Sequence, residues 1–200
     1  MLDKTIPYKN ILMRWTYSGK QAAVAYLEQA KKRLPAGWSL SPYQPGDALN
    51  WVRIQKEAGE FASESEAEVF DYFQQRYGAY PAELSRRSLF VRTASGEAVG
   101  SCLVWKEETD GTASLHWLAV SERAQGQGAG TALIAAALAR YLDFGETTVW
   151  LHTQPWSYQA IRLYLRAGFV FVLDETQRFG TYENETREGL AVLNQRNLLS

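Results

Sequence analysis

The segment Leu115–Arg140 reads LHWLAVSERAQGQGAGTALIAAALAR, a strand, a glycine-rich turn and a helix in immediate succession. Leu115, Trp117 and Ala119 alternate with His116, Leu118 and Val120, the period-2 pattern of a strand with one buried face. From Thr131 onward Leu133, Ala136, Ala137 and Arg140, with Ile134, Leu138 and Tyr141, fall at helical spacing. Between the two lies Gln125-Gly126-Gln127-Gly128-Ala129-Gly130. Its alternating glycines let the backbone approach a ligand and take φ values that other residues resist. Such a turn, opening onto a helix, aims unpaired N–H groups and the positive end of the helix dipole outward, which suits a phosphate.

Two common phosphate loops do not fit. A dinucleotide fingerprint needs G-x-G-x-x-G, whereas the spacing here is G-x-G-x-G, and no Gly-Lys-Ser/Thr follows for a P-loop. The spacing that does fit is Gln/Arg-x-x-Gly-x-Gly, with Val120 ahead of Gln125, Gly128 and Gly130. It resembles the pyrophosphate loop of the GNAT superfamily of acyl-CoA-dependent N-acyltransferases. Without a ligand, the same residues would make a plain glycine-rich turn.

The rest of the composition narrows the field. A chain of 200 residues with 46% hydrophobic content can bury one sizeable core. A formal charge of −1 gives no electrostatic reason to expect nucleic acid or an anionic membrane as partner. One cysteine, Cys102, excludes an internal disulfide framework and fits a reducing, cytoplasmic setting. No run approaches the roughly 18 apolar residues of a membrane span. The opening MLDKTIPYKN has no apolar signal core. Seven dispersed tryptophans point to packing.

Along the chain, residues 1–17 lack periodicity and read as an extended arm lying on the domain. Ser18 is placed to cap a helix running to about Leu34, ended by Pro35-Ala36-Gly37. Trp38, Leu40 and Tyr43 alternate as a strand. Asp47 is placed to cap a helix with Leu49, Val52 and Ile54, and an acidic helix follows from about Ser63 with Val69, Phe70, Phe73 and Tyr77. Ser88–Thr93 and Ala98–Lys106 read as a hairpin, and Thr109-Asp110-Gly111 turns the chain into the strand above. Gly145 stops the long helix, a strand Thr147–Gln154 follows, then a helix Ser157–Ala167 and a strand Phe169–Val172. A short last helix is expected between Thr186 and Leu199. Neither arm nor tail carries a coiled-coil or strand-swap pattern.

The run Ser157 to Phe169 is similar to a second GNAT pattern, Asn-x-x-Ala-x-x-x-Tyr-x-x-x-Gly-Phe. It matches at Ala160, Tyr164, Gly168 and Phe169, with Ser157 in place of asparagine, where a hydroxyl is still able to cap the helix. The resemblance covers roughly Trp38 to Val172. It implies an α/β fold: a mixed, mostly antiparallel sheet with two central splayed strands, flanked by helices, plus an N-terminal helical extension. It divides the chain into an N-terminal arm and helix (1–37), the acetyltransferase domain (38–175) and a tail (176–200).

The resemblance also implies a chemistry. Acetyl-CoA is the expected co-substrate and no metal is expected. The pantetheine arm would pair with backbone around Leu118, Ala119 and Val120 in the gap between the splayed strands. The pyrophosphate would meet Gln125, Gly126, Gln127, Gly128, Ala129, Gly130 and Thr131, with Ser157 at the start of the next helix. Tyr164, a phenol of pKa about 10, is a candidate general acid for the departing thiolate, or else a packing residue. His116, on the face shared with Leu118, is a candidate base acting directly or through water, or else a structural histidine. His152 is a weaker candidate, and Cys102 reads as core. Glu57, Glu60, Glu64, Glu66 and Glu68 would line either a solvated face or a cationic acceptor's pocket, with Trp51, Phe61 and Phe70 as its apolar wall.

The function implied is transfer of an acetyl group to a primary amine by direct attack, since no nucleophile is placed for a covalent intermediate. The alternatives are an inactive acyl-CoA-binding sensor or scaffold and, more remotely, a nucleotide-phosphate binder. The composition of residues 47–87 fits small amines, amino acids and peptides equally as acceptor.

Overall fold

The helix after the glycine loop, Ala129–Asp143 (α5), is apolar on nearly every side, and Leu133, Ile134, Ala135 and Leu138 are all buried. A helix with no polar face belongs between two layers. Each of those larger aliphatic side chains contributes about 1.5–3 kcal/mol on burial. On the outer side Ala132 and Ala135 pack with Ala30 of the helix Lys20–Lys31 (α1), where small side chains permit close approach. The computed structural model describes residues 2–17, 20–107 and 110–199. Ser18 and Thr109, assigned above to a cap and a turn, lie outside them.

The inner side of α5 covers a sheet of strands Ile11–Thr16 (β1), Ser39–Pro42 (β2), Ser88–Arg92 (β3), Ala98–Lys106 (β4), Ala113–Val120 (β5), Thr148–Thr153 (β6) and Val170–Phe171 (β7). Their order is β2-β3-β4-β5-β6-β1-β7. All neighbours are antiparallel except β5 and β6, which run parallel and share one registered pair, Ser114 with Trp150. Beyond that pair the two strands diverge, as the GNAT resemblance implies.

The remaining helices are Asp47–Glu57 (α2), Glu66–Phe73 (α3), Pro81–Arg87 (α4), Tyr158–Arg166 (α6) and Thr186–Gln195 (α7). The acidic helix starts later than expected, because Ser65 forms a full capping box with Glu68. A π-helical stretch, Gln74–Gly78, and α4 follow it. Asp47 does not cap α2. Gly46 holds that position, and Asp47 is instead buried against Arg92 at 2.6 and 2.8 Å.

Within the stretch expected as a surface arm, Ile11–Thr16 is instead a strand. Ile11–Thr16 lies within the sheet, paired with β6 from Ile11–Thr153 to Thr16–Thr148 and with β7 through Met13–Phe171. Ile11, Met13 and Trp15 join the core beneath α5, while Leu12 packs with Val172 and Phe179 on the opposite face. A strand covered on both faces loses its alternation and reads as a plain apolar run. The tail is also tied in: Leu193 of α7 enters the main core, and Thr186 Oγ1 accepts a 2.9 Å bond from the Leu12 N–H.

Candidate active site

A cavity of about 650 Å³ passes through the gap between β5 and β6. Its walls come from both faces of the sheet, and a local irregularity in β5 makes this so. Ser101 pairs with Ala119 but Leu103 pairs with His116, so one residue of β4 faces two of β5. Trp117 absorbs the extra length in the left-handed region, at φ 52°. Its carbonyl accepts a 3.0 Å bond from Gln55 Nε2. The bulge shifts the phase of the side chains. Trp117 and Ala119 pack with the α2–α3 layer, as does Tyr77, the partner of His116, whereas Leu115, Leu118 and Val120 pack beneath α5. His116 and Leu118 therefore face opposite ways, contrary to the simple alternation.

His116 is held at both nitrogens. Nδ1 lies 2.9 Å from the Tyr77 hydroxyl, and Nε2 lies 2.8 Å from Ser114 Oγ and 3.0 Å from Glu107 Oε1. Arg76 donates to the other Glu107 oxygen at 2.6 Å. The hydrogen bond from His116, supported by Arg76 and opposed by burial, pulls the Glu107 carboxyl down to about 2. Burial drives the Tyr77 phenol well above its ordinary value, so it stays protonated and donates to Nδ1. An ionised Glu107 only accepts, so Nε2 carries the ring proton. The result is a histidine oriented by a carboxylate, with no nitrogen left for direct contact with a substrate.

Tyr164 of α6 lines the cavity from the other side. It is 7% exposed, and burial raises its phenol above the usual range. Ser157 also lines the cavity, but its side chain caps nothing; the helix is entered through the 3-10 turn Pro155–Ser157.

The glycine loop divides into distinct tasks. Gly126, at φ 75°, has nothing within 4 Å of where a Cβ would sit and lines the cavity. Gly128, at φ 87°, lies against the turn that follows α1, and a Cβ there would come within 2.9 Å of the Arg33 carbonyl oxygen. Gly130 lines the cavity and admits the Leu163 side chain, 2.9 Å from its would-be Cβ. The first bond within α5 runs from the Ala132 N–H to the Gly128 carbonyl, so the N–H groups of Ala129, Gly130 and Thr131 have no intrahelical acceptor. Gln125 Nε2 donates to the Val120 carbonyl, tying the loop to the end of β5.

Leu118, Ala119, Val120, Gln125, Gly126, Gly130, Ser157, His116 and Tyr164 all border the cavity, whereas Gln127, Gly128, Ala129 and Thr131 lie behind it. Of the five glutamates in the acidic stretch only Glu60 reaches the cavity. The expected wall of Trp51, Phe61 and Phe70 is not the one found. Trp51 is fully buried, and the aromatic lining comes from Tyr72, Tyr77, Trp117 and Trp156 and from the tail through Phe179 and Tyr182. His152 borders the cavity too. It stacks on Tyr182 at 3.7 Å, bonds Asn10 at 2.8 Å, and burial lowers its pKa to about 4. Cys102 is core, its thiol raised by burial. The tail carries no motif, and only the closely spaced Phe179 and Tyr182 hint at its role.

Comparison with known proteins bears on the family and the fold. A mycothiol acetyltransferase of Clavibacter sepedonicus is 30% identical over 145 residues, covering 70% of this chain and 45% of its own length. The chain thus spans less than half of that curated relative. Among solved structures, a GCN5-related N-acetyltransferase from Sphaerobacter thermophilus superposes with a TM-score of 0.59 at 20% identity, over 84% of this chain and 51% of that one. The ribosomal-protein-S18-alanine N-acetyltransferase of Escherichia coli superposes with a TM-score of 0.52 at 23% identity, over 66% and 76% of the two chains. At such identities these two speak for the fold. The profile of the Acetyltransferase (GNAT) family matches residues 49–169, more than half of the chain, and the protein belongs to that family.

Proposed function

We propose that this protein transfers an acetyl group from acetyl-CoA to a primary amine by direct attack, acting in the cytoplasm. One observation carries the reading: a single cavity joins Gly126 and Gly130, at the start of α5, to the His116–Glu107 pair through the β5–β6 gap. The residues at the loop suit the co-substrate. Gly126 offers bare backbone, and the helix dipole favours a pyrophosphate. Leu118, Ala119 and Val120 border the route a pantetheine arm would take.

In this reading the acceptor binds on the side of Tyr72, Trp117 and Tyr182. Its nitrogen attacks the thioester carbonyl, and its proton passes to His116 along the Tyr77 hydroxyl, leaving an imidazolium held by Glu107. Tyr164 gives its proton to the departing thiolate. The reading is tested by following thiol release from acetyl-CoA with a panel of amines, amino acids and peptides, using the parent and Tyr77→Phe. Release that depends on an added amine and drops in Tyr77→Phe supports it. Binding of CoA without turnover of any amine would make the protein an acyl-CoA-binding module instead.

A further inference from the structure

Lys4 takes no part in the chemistry above, yet it holds a primary amine at the rim of the cavity. Asp3 starts a turn closed by the Ile6 N–H on the Asp3 carbonyl at 3.1 Å. The Asp3 carboxylate accepts from the Thr5 N–H at 3.1 Å and the Thr5 hydroxyl at 2.6 Å. Ile6 is buried and anchors the turn, Leu2 borders the cavity, and Lys4 is left exposed between them.

The Lys4 ammonium lies 3.2 Å from Glu60 Oε2 and 4.4 Å from the ring centroid of Trp156. Both partners border the cavity, from opposite banks. Trp156 directly precedes Ser157 at the start of α6, and Glu60 follows α2 on the acceptor side. Lys9, Lys31, Lys56 and Lys106 pair instead with Glu185, Glu28, the carbonyls of Phe61 and Glu64, and Glu146, none of which borders the cavity.

We propose that Lys4 is an acetylation site of this protein, modified within the same molecule; the inference rests on the acetyltransferase reading of the cavity. The ammonium first releases a proton to solvent. The free amine then attacks the thioester carbonyl, a C–N bond forms, the C–S bond breaks, and the second proton lost by nitrogen accompanies the departing thiol. No electrons are exchanged with a third party. The acetamide formed is neutral, so it loses both the ion pair with Glu60 and the attraction to the Trp156 ring. Acetylation would free the turn from the rim and widen the way in for an external acceptor.

The test is intact-mass and peptide mapping of the full chain incubated with acetyl-CoA and no added amine, alongside the amine panel described above. The expected result is one acetyl group per chain, located on Lys4, with a first-order rate constant unchanged on dilution. Lys4→Arg, which keeps the positive charge, should take up none. Acetylation of Lys31 and Lys32 as fast as Lys4, or a rate constant that falls on dilution, overturns the inference. Turnover of added amines with Lys4 unmodified overturns it while sparing the reading of the cavity. Absence of turnover, of modification and of CoA binding removes both.

Discussion

Nε2 of His116 lies 3.0 Å from Oε1 of Glu107, and Arg76 fixes the same carboxylate from behind at 2.6 Å. A fixed anion beside the proton-bearing nitrogen sets the ring's tautomer and stabilises the imidazolium that forms when Nδ1 takes a proton. Glu107→Gln keeps the shape and removes the charge. It should lower kcat/KM by roughly 10²–10⁴-fold, with CoA affinity kept. A parent-like kcat/KM in a folded variant would reduce Glu107 to a structural partner.

Tyr164 gives a second outcome. Because burial raises its phenol, no alkaline limb from this group should appear below the ordinary tyrosine range. Tyr164→Phe removes only the hydroxyl and should cut kcat on the order of 10²–10⁴-fold with little change in KM for acetyl-CoA. A thioester whose leaving group needs no proton should be affected less. Equal rates with acetyl-CoA, under conditions where chemistry is rate-limiting, would leave Tyr164 a packing residue.

The loop glycines separate binding from stability. Gly128→Ala drives a Cβ to 2.9 Å from the Arg33 carbonyl oxygen as well as straining a positive φ, so denaturant unfolding should show a cost well above that of strain alone. At Gly126 only the strain operates, about 1–2 kcal/mol, while the Cβ enters the space offered to a pyrophosphate. Calorimetry should therefore find CoA binding weakened more by Gly126→Ala than by Gly128→Ala. The reverse order would move the phosphate site elsewhere.

Acid stability should fall in two windows. The His152 pKa is lowered to about 4 in the folded state against 6.5, so the unfolded chain binds the extra proton and stability declines as pH drops from 6.5 toward 4. The Glu107 pKa is lowered to about 2 against 4.5, so its contribution is complete above 4.5 and is lost as pH falls further, toward 2. Melting temperatures across this range should lose the upper step in His152→Gln and the lower one in Glu107→Gln. A variant that retains its own step would show that another group is responsible.

The elements with a local signal were legible in the chain: α5 from the glycine turn and helical spacing, the β3–β4 hairpin from its turn residues, and α6 from its apolar stripe with Tyr164. What escaped has physical reasons. Residues Ile11–Thr16 are buried on both faces, so no alternation marked them as a strand. The bulge at Trp117 depends on one backbone angle, and nothing in the residue type announces a tryptophan at φ 52°. Glu107 sits just past β4 among ordinary polar residues, and only the fold brings it to His116. Phe179 and Tyr182 belong to a tail whose composition looks like solvent-exposed loop. Gly128 was legible as a loop glycine, but the carbonyl that forbids its side chain comes from Arg33, in the turn after α1.

The parallel contact between β5 and β6 amounts to the single pair Ser114–Trp150, so the gap is also a seam. On one side lies a half-sheet of consecutive strands; on the other, β6, β1 and β7 draw on both ends of the chain. During synthesis β1 emerges first and waits without a partner until β6 is made, a late and entropically costly closure. The same half should open first in the folded protein, with amide exchange faster at Leu12 and Met13 than at Cys102 and Leu103. His152, Tyr182 and the Lys4 turn all belong to that half. The bank of the cavity built on that half is therefore the one expected to loosen first, ahead of the bank that holds His116.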